Sequence, residues 1–221
     1  MTRAYAMVGV MMGLALLDYG CAAGEDDKAE SRAFHCTIKN LTPGQIFTPP
    51  ILILHGKDYS LFTPGGVASP GLTWLAEDGV ATTLLEELRA NPGVTDVITS
   101  SQEVHPGKSI TIEFIATANS MLSATGMLET TNDAFLGARN LTLPESGSST
   151  VKISAYDAGT EENNELCAYV PGPPCGSNKR ALNGEGTIHM HVGILGVGDL
   201  APGVYGWEGD VAEIVITAID N

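Results

Sequence analysis

Basic residues are scarce in this 221-residue chain: 11 Lys and Arg stand against 26 Asp and Glu, a formal charge of −15. A surface of that sign repels nucleic acid and anionic lipid unless a cation intervenes. Long apolar runs are missing too, since beyond the amino terminus no stretch approaches the length needed to cross a bilayer. Catalytic signatures are equally absent. There is no Gly-x-Ser-x-Gly elbow, no phosphate-cradling glycine loop, no His-Glu-x-x-His helix and no Cys–His pair in a supporting context. Internal repeats and low-complexity tracts are lacking as well. What remains abundant is Gly, Thr, Val, Ile and Pro, the vocabulary of strands and turns.

The amino terminus sets the expected compartment. Arg3 precedes an apolar run over residues 4–17, and small residues follow at Gly20, Cys21, Ala22 and Ala23. Residues 1–23 are read as a signal peptide, with two fates open: lipid attachment at Cys21 or ordinary cleavage after Ala23. An acylated Cys21 would tether the protein to its own membrane only. Residues 24–32 are small and charged, a linker to a single domain over 33–220. In an exported protein Cys167 and Cys175, which enclose a turn-rich segment, are expected to pair. Zinc is the rival, though the spacing is wrong for a Cys-x-x-Cys knuckle. Cys36, within an alternating stretch, reads as a small core residue.

Period-two alternation marks strands at 33–40, 109–117, 150–156, 186–195 and 210–219, and more weakly at 120–128. Residues 51–56 (ILILHG) form a continuous apolar run of strand length. Helical spacing occurs only over 70–90, where Leu72, Leu75, Leu84, Leu85 and Leu88 share faces on either side of Gly79. Seven or eight strands with one helical insertion predict an all-β fold, an antiparallel β-sandwich. Trp74 and Trp207 are expected at the edges of its core.

Two acidic turns hold the chemistry. Residues 156–166 (YDAGTEENNEL) place Asp157 at a strand end, followed by Ala158-Gly159 and then Glu161. Residues 129–137 (ETTNDAFLG) carry Asp133. If the two turns meet at one end of the sandwich, Asp133, Asp157 and Glu161 converge, and a dication would relieve their repulsion. The plainer reading is two solvated acidic loops, because the spacing lacks an EF-hand ligand pattern. His189 and His191 share a strand face and form a possible transition-metal pair, with His55 as a further ligand; satisfied sheet histidines are the alternative.

Five blocks give a further pointer: NLTPGQIFTPP (40–50), TWLAEDG (73–79), TNDAFLG (131–137), AYDAGTEENNELCAYVPGPPCG (155–176) and GVGDLAPGVYGW (196–207). Together they resemble the spondin amino-terminal domain of F-spondin, mindin and bacterial secreted proteins. The resemblance implies a sandwich similar to C2-type domains with one calcium ion at its loop end, held by Asp133, Asp157 and Glu161. Two positions depart from the animal pattern: Ala134 stands where those members carry Trp, and Glu161 replaces Asp. The implied function is an exported, non-catalytic recognition or adhesion module with an extracellular or cell-surface ligand. The alternatives are an envelope protein in which calcium only stabilises loops, and a metal-assisted hydrolase.

Overall fold

The computed structural model describes Met1 and residues 31–219, apart from residue 118. The leader, Cys21 and most of the 24–32 linker therefore lie outside the described residues. The elements are β1 (Ser31–Asn40), β2 (Ile51–His55), α1 (Pro70–Asp78), α2 (Thr82–Ala90), β3 (Val94–Thr99), β4 (Ser109–Thr117) and β5 (Met121–Thr125). They continue with β6 (Ala134–Leu136), β7 (Ala138–Thr142), β8 (Ser148–Ile153), β9 (Ala155–Asp157), β10 (His189–Met190), α3 (Pro202–Tyr205) and β11 (Ala212–Ala218). The first strand starts at Ser31, so the end of the expected linker already belongs to the sheet.

One four-stranded sheet has the order β4-β1-β11-β8 and a second the order β3-β2-β5-β7. All pairings are antiparallel. The alternation in β1 sends Phe34, Cys36 and Ile38 inward. They meet Ile112 and Phe114 of β4 and Ile214 and Ile216 of β11, with Cys36 opposite both Ile112 and Ile216. Leu52, Leu54, Leu122 and Leu141 of the second sheet close the same core from the other side. Each such side chain, fully buried, contributes about 1.5–3 kcal/mol.

The second sheet is covered on both faces, which explains the unbroken apolar run in β2. Ile51 and Ile53 point away from the sandwich core and pack with Leu72, Leu75, Leu84 and Leu88 of the helices. The helical insertion is thus a third layer. Ser69 caps α1 by accepting the Leu72 N–H at 3.1 Å, and Gly79 ends it in the left-handed conformation at φ 69°. Glu87 of α2 locks the two helices together, accepting from Gly71 N at 2.7 Å and from the Ser69 hydroxyl at 2.6 Å. Trp74 departs from expectation: it faces outward, 46 % exposed, because Leu72, Leu75 and Ala76 occupy the buried side of the turn.

The small third sheet, β10-β9-β6, is what the alternation did not show. The expected strand at 150–156 divides at Ser154, where β8 stays with β11 and β9 crosses to pair with β6. The expected strand at 186–195 shrinks to His189–Met190. Its continuation is captured instead by the Glu165 carboxylate, which accepts from Leu195 N (2.5 Å), Gly196 N (2.7 Å) and Val197 N (2.9 Å).

Candidate metal centre

The β6–β9 pairing creates the site. Ala134 lies opposite Asp157, and Ala158 N donates to the Asp133 carbonyl at 3.1 Å, so Asp133 and Asp157 sit side by side at one sheet end. The turn before β6 is fixed by Thr131, whose hydroxyl accepts from Ala134 N at 3.0 Å and donates to the Leu128 carbonyl at 2.6 Å. After β9 the chain reverses at Gly159, with φ +69°; a Cβ there would fall 2.3 Å from the Thr187 carbonyl oxygen. That reversal brings Glu161 back against Asp133.

All three predicted acids are buried, with Asp133 and Asp157 0 % and Glu161 1 % exposed. Asp133 Oδ2 accepts from Thr160 N (2.7 Å), Glu161 N (3.0 Å) and the Thr160 hydroxyl (3.1 Å). Asp157 accepts from Gly159 N at 2.6 Å and from the Asn163 amide at 2.5 Å. Glu161 Oε1 accepts from Ala181 N at 2.6 Å. Two buried carboxylate oxygens, Asp133 Oδ1 and Glu161 Oε2, have no partner among the described residues. An unpaired buried acceptor of this kind carries a desolvation cost of about 1–3 kcal/mol, more when charged.

The electrostatics follow. Burial first, then the neighbouring Asp157, pushes Asp133 up to about 7 despite its three donors. Burial pushes Glu161 up to about 8, with Glu77 and Asp133 adding to it. Asp157 is also raised, chiefly by burial. Without a cation these acids resist carrying full charge together.

On the other side of Asp157 stand two histidines. His189 Nδ1 is 3.9 Å from Asp157 Oδ1 and His191 Nε2 is 4.0 Å from Asp157 Oδ2; His191 lies just past the end of β10, so the two do not share a strand face but both approach the same carboxylate. Among the described residues, the group whose ligand atoms all lie within 4.8 Å of one another is Asp157, Glu185 and His189, rather than Asp133, Asp157 and Glu161. Glu185 was missed in the sequence because it sits in a Gly-flanked turn far from both acidic blocks. His189 Nδ1 lies 3.0 Å from the Thr187 carbonyl, an arrangement that requires a proton on that nitrogen. Burial opposes the charge on His189, but the Thr187 carbonyl and Asp157 outweigh it and raise its pKa. Burial drives His191 down to about 4, so its ring is neutral. Both histidines thus border Asp157, and His189 stands with Glu185 among the groups that could join Asp157 on a cation.

His55 takes no part in this centre. Its ring is held by the Gly56 carbonyl and by Ser123 Oγ, each at 2.8 Å. Ser123 and His55 have the geometry of a nucleophile and base, yet both are 0 % exposed and no substrate reaches them. Cys167 and Cys175 are joined by a disulfide, and Cys36 is a free, buried thiol pushed up to about 12 by burial.

The Spondin_N family model matches residues 39–168, more than half of the chain. The chain belongs to the spondin N-terminal domain family. The match includes Asp133, Asp157 and Glu161, whereas Glu185, His189 and His191 fall beyond it. This spondin domain thereby joins a family of extracellular, adhesion-type modules. No helix among its described residues is long and apolar enough to cross a membrane. A search of curated proteins finds no match to it.

Proposed function

We propose that this spondin domain is an exported, non-catalytic recognition module whose loops are locked by one calcium ion at Asp133, Asp157 and Glu161. The observation that carries the reading is the pair of orphaned oxygens, Asp133 Oδ1 and Glu161 Oε2, in a fully buried acidic centre. Hard oxygen donors without nitrogen or sulfur suit calcium, which takes six to eight oxygens at about 2.3–2.6 Å and tolerates irregular geometry. Magnesium demands a tighter octahedron. The ligand oxygens of the three acids do not all lie within 4.8 Å of one another, so direct coordination by all three requires their side chains to close in, and the orphaned oxygens are the ones it would recruit. Asn163, Thr160 and the Ala181 N–H hold the carboxylates in place. The ion would supply charge neutralisation.

The burial of the carboxylates favours an ion that braces the fold and does not touch a partner. Recognition then falls to the surface alongside. Met190, at the end of the strand that faces Asp157, and Val192, Leu195 and Val197 beyond it are all more than half exposed. Exposed apolar groups in series mark contact surfaces.

The test is thermal unfolding of the purified protein in calcium, in magnesium and in chelator. With calcium at a hundredfold excess over its dissociation constant, on the order of 0.1–1 mM for extracellular modules, stability rises by about 2.7 kcal/mol. Asp157→Asn loses that gain. A variant that responds to calcium as the parent does removes the ligand set.

A further inference from the structure

A groove of about 390 Å³ runs between the loop after β1 and the segment from α3 to β11. That volume falls within the range of about 300–1,000 Å³ usual for ligand sites. Its walls are Pro43, Pro202 and the half-buried Trp207 over a floor of Ile194, and Glu208 and Asp210 stand at its edge. Among the described residues, no Lys or Arg lines it.

The groove is pre-formed. Gln45, 0 % exposed, donates its amide to the Tyr205 carbonyl at 2.8 Å and to the Thr130 carbonyl at 3.0 Å, tying the first wall to the second. Trp207 packs against both the sandwich core and the small cluster of Val170, Ile194 and Leu200, and its ring lies 5.2 Å from that of His191. Exposed apolar side chains extend the surface: Leu195 next to Ile194, and Val204 within α3.

We propose that this groove receives a basic, partly apolar segment of a protein partner, with a Lys or Arg side chain laid along Trp207 and its charge set against Glu208 and Asp210. This rests on the reading of the chain as a recognition module and names the class of its partner. Charge complementarity selects the occupant. The groove pairs apolar and aromatic walls with two carboxylates, one of which, Asp210, accepts from the Ser154 hydroxyl at 3.1 Å, and among the described residues no Lys or Arg lines it opposite them, on a chain of net charge −15. A Lys or Arg stem covers apolar wall while its head meets the acids, and an indole face adds cation–π attraction. A purely apolar segment would leave Glu208 and Asp210 unanswered, and an acidic one is repelled.

The probe is a labelled nine-residue peptide with Arg at its centre flanked by Leu, Val and Pro, measured by fluorescence anisotropy. The comparison peptides carry Glu or Ser at the centre, and a Lys homopolymer of equal length reports non-specific attraction. A Trp74→Phe background leaves Trp207 as the chain's remaining tryptophan, so its emission locates the contact. The expected result is saturable binding of the Arg peptide with a change in Trp207 emission. The Glu peptide binds about tenfold more weakly or not at all, and exposed Glu208→Lys weakens the Arg peptide about tenfold. Failure of the Arg peptide to bind, equal binding of the Lys homopolymer, or indifference to Glu208→Lys overturns the proposal. Calcium titration of the same sample separates the two readings: peptide binding without calcium binding sinks the ion alone, and the reverse sinks the groove alone.

Discussion

Chelating divalent cations yields a protein whose stability falls as the pH rises. Asp133 is pushed up to about 7 and Glu161 up to about 8 in the folded state, both far above ordinary carboxylates. A group with a raised folded pKa stabilises the protein below its unfolded value, and that contribution disappears as the pH passes through the folded value. Between pH 5 and pH 8 the linkage of Asp133 and Glu161 together is on the order of several kcal/mol, less than the two taken alone because Asp133 is itself one cause of the shift at Glu161. His191, driven down to about 4, acts in the opposite sense. Its contribution is full above its unfolded value and shrinks toward pH 4, which offsets about 2 kcal/mol over the same window. Asp157, also raised, works with the other two acids, and Glu129, outside the centre and pushed up to about 7 by burial and by Glu103, acts in the same sense. The net loss is on the order of a few kcal/mol, and for a chain of this size each kcal/mol moves the melting temperature by about 2–4 °C. The Tm in chelator therefore drops by roughly 10 °C from pH 5 to pH 8. Saturating calcium removes the share of the drop that belongs to the centre, because the ion replaces the protons that these acids otherwise need. Circular dichroism melts at three pH values, with calcium and with chelator, measure it. A Tm in chelator that is flat or rising over this range refutes the reasoning.

Further outcomes follow from single contacts. Glu165→Gln weakens the charged clasp on Leu195, Gly196 and Val197 and costs about 2–4 kcal/mol in urea denaturation, with calcium stoichiometry unchanged. Opening the Cys167–Cys175 disulfide by double substitution with Ser costs about 2.5 kcal/mol on the loop-entropy account, read from the same denaturation curves. Gly159→Ala forces a Cβ onto the Thr187 carbonyl at a positive φ; it costs about 3 kcal/mol or more and removes the calcium response in a thermal-shift assay. Trp74→Ser, on the outer face of α1, costs about 1–3 kcal/mol, because an indole that is 46 % exposed still buries about half its surface.

The sandwich was legible where burial is one-sided. The alternation of β1, β4 and β11 is the alternation of core and solvent, and it survives in the sequence as Phe34-Cys36-Ile38 and its partners. The run in β2 was legible as a strand, though not as one covered on both faces, since a run of apolar residues does not say what lies on each side. β6 has three residues and β7 is largely polar, so neither offers enough periods to read. The division of β8 from β9 leaves no mark at all, because both halves keep the same alternation while changing partners. At the centre, the two acidic turns that carry Asp133, Asp157 and Glu161 were readable, and family likeness made them the expected ligands. Their meeting depends on β6–β9 pairing, which is long-range. Glu185 and the clasp of Glu165 on the 195–197 backbone were not readable. One is a lone acid in a turn, and the other acts through backbone N–H groups that every residue possesses.

The central claim is that buried carboxylates from two separate turns hold a dication between them. Isothermal titration calorimetry of the purified protein with calcium near neutral pH tests it most directly, in two buffers of different ionisation heat. The account predicts one ion per chain, a heat that differs between buffers because protons leave Asp133 and Glu161, and no saturable heat in Asp133→Asn or Glu161→Gln. Absence of saturable heat in the parent protein, or an unchanged isotherm in both variants, contradicts it.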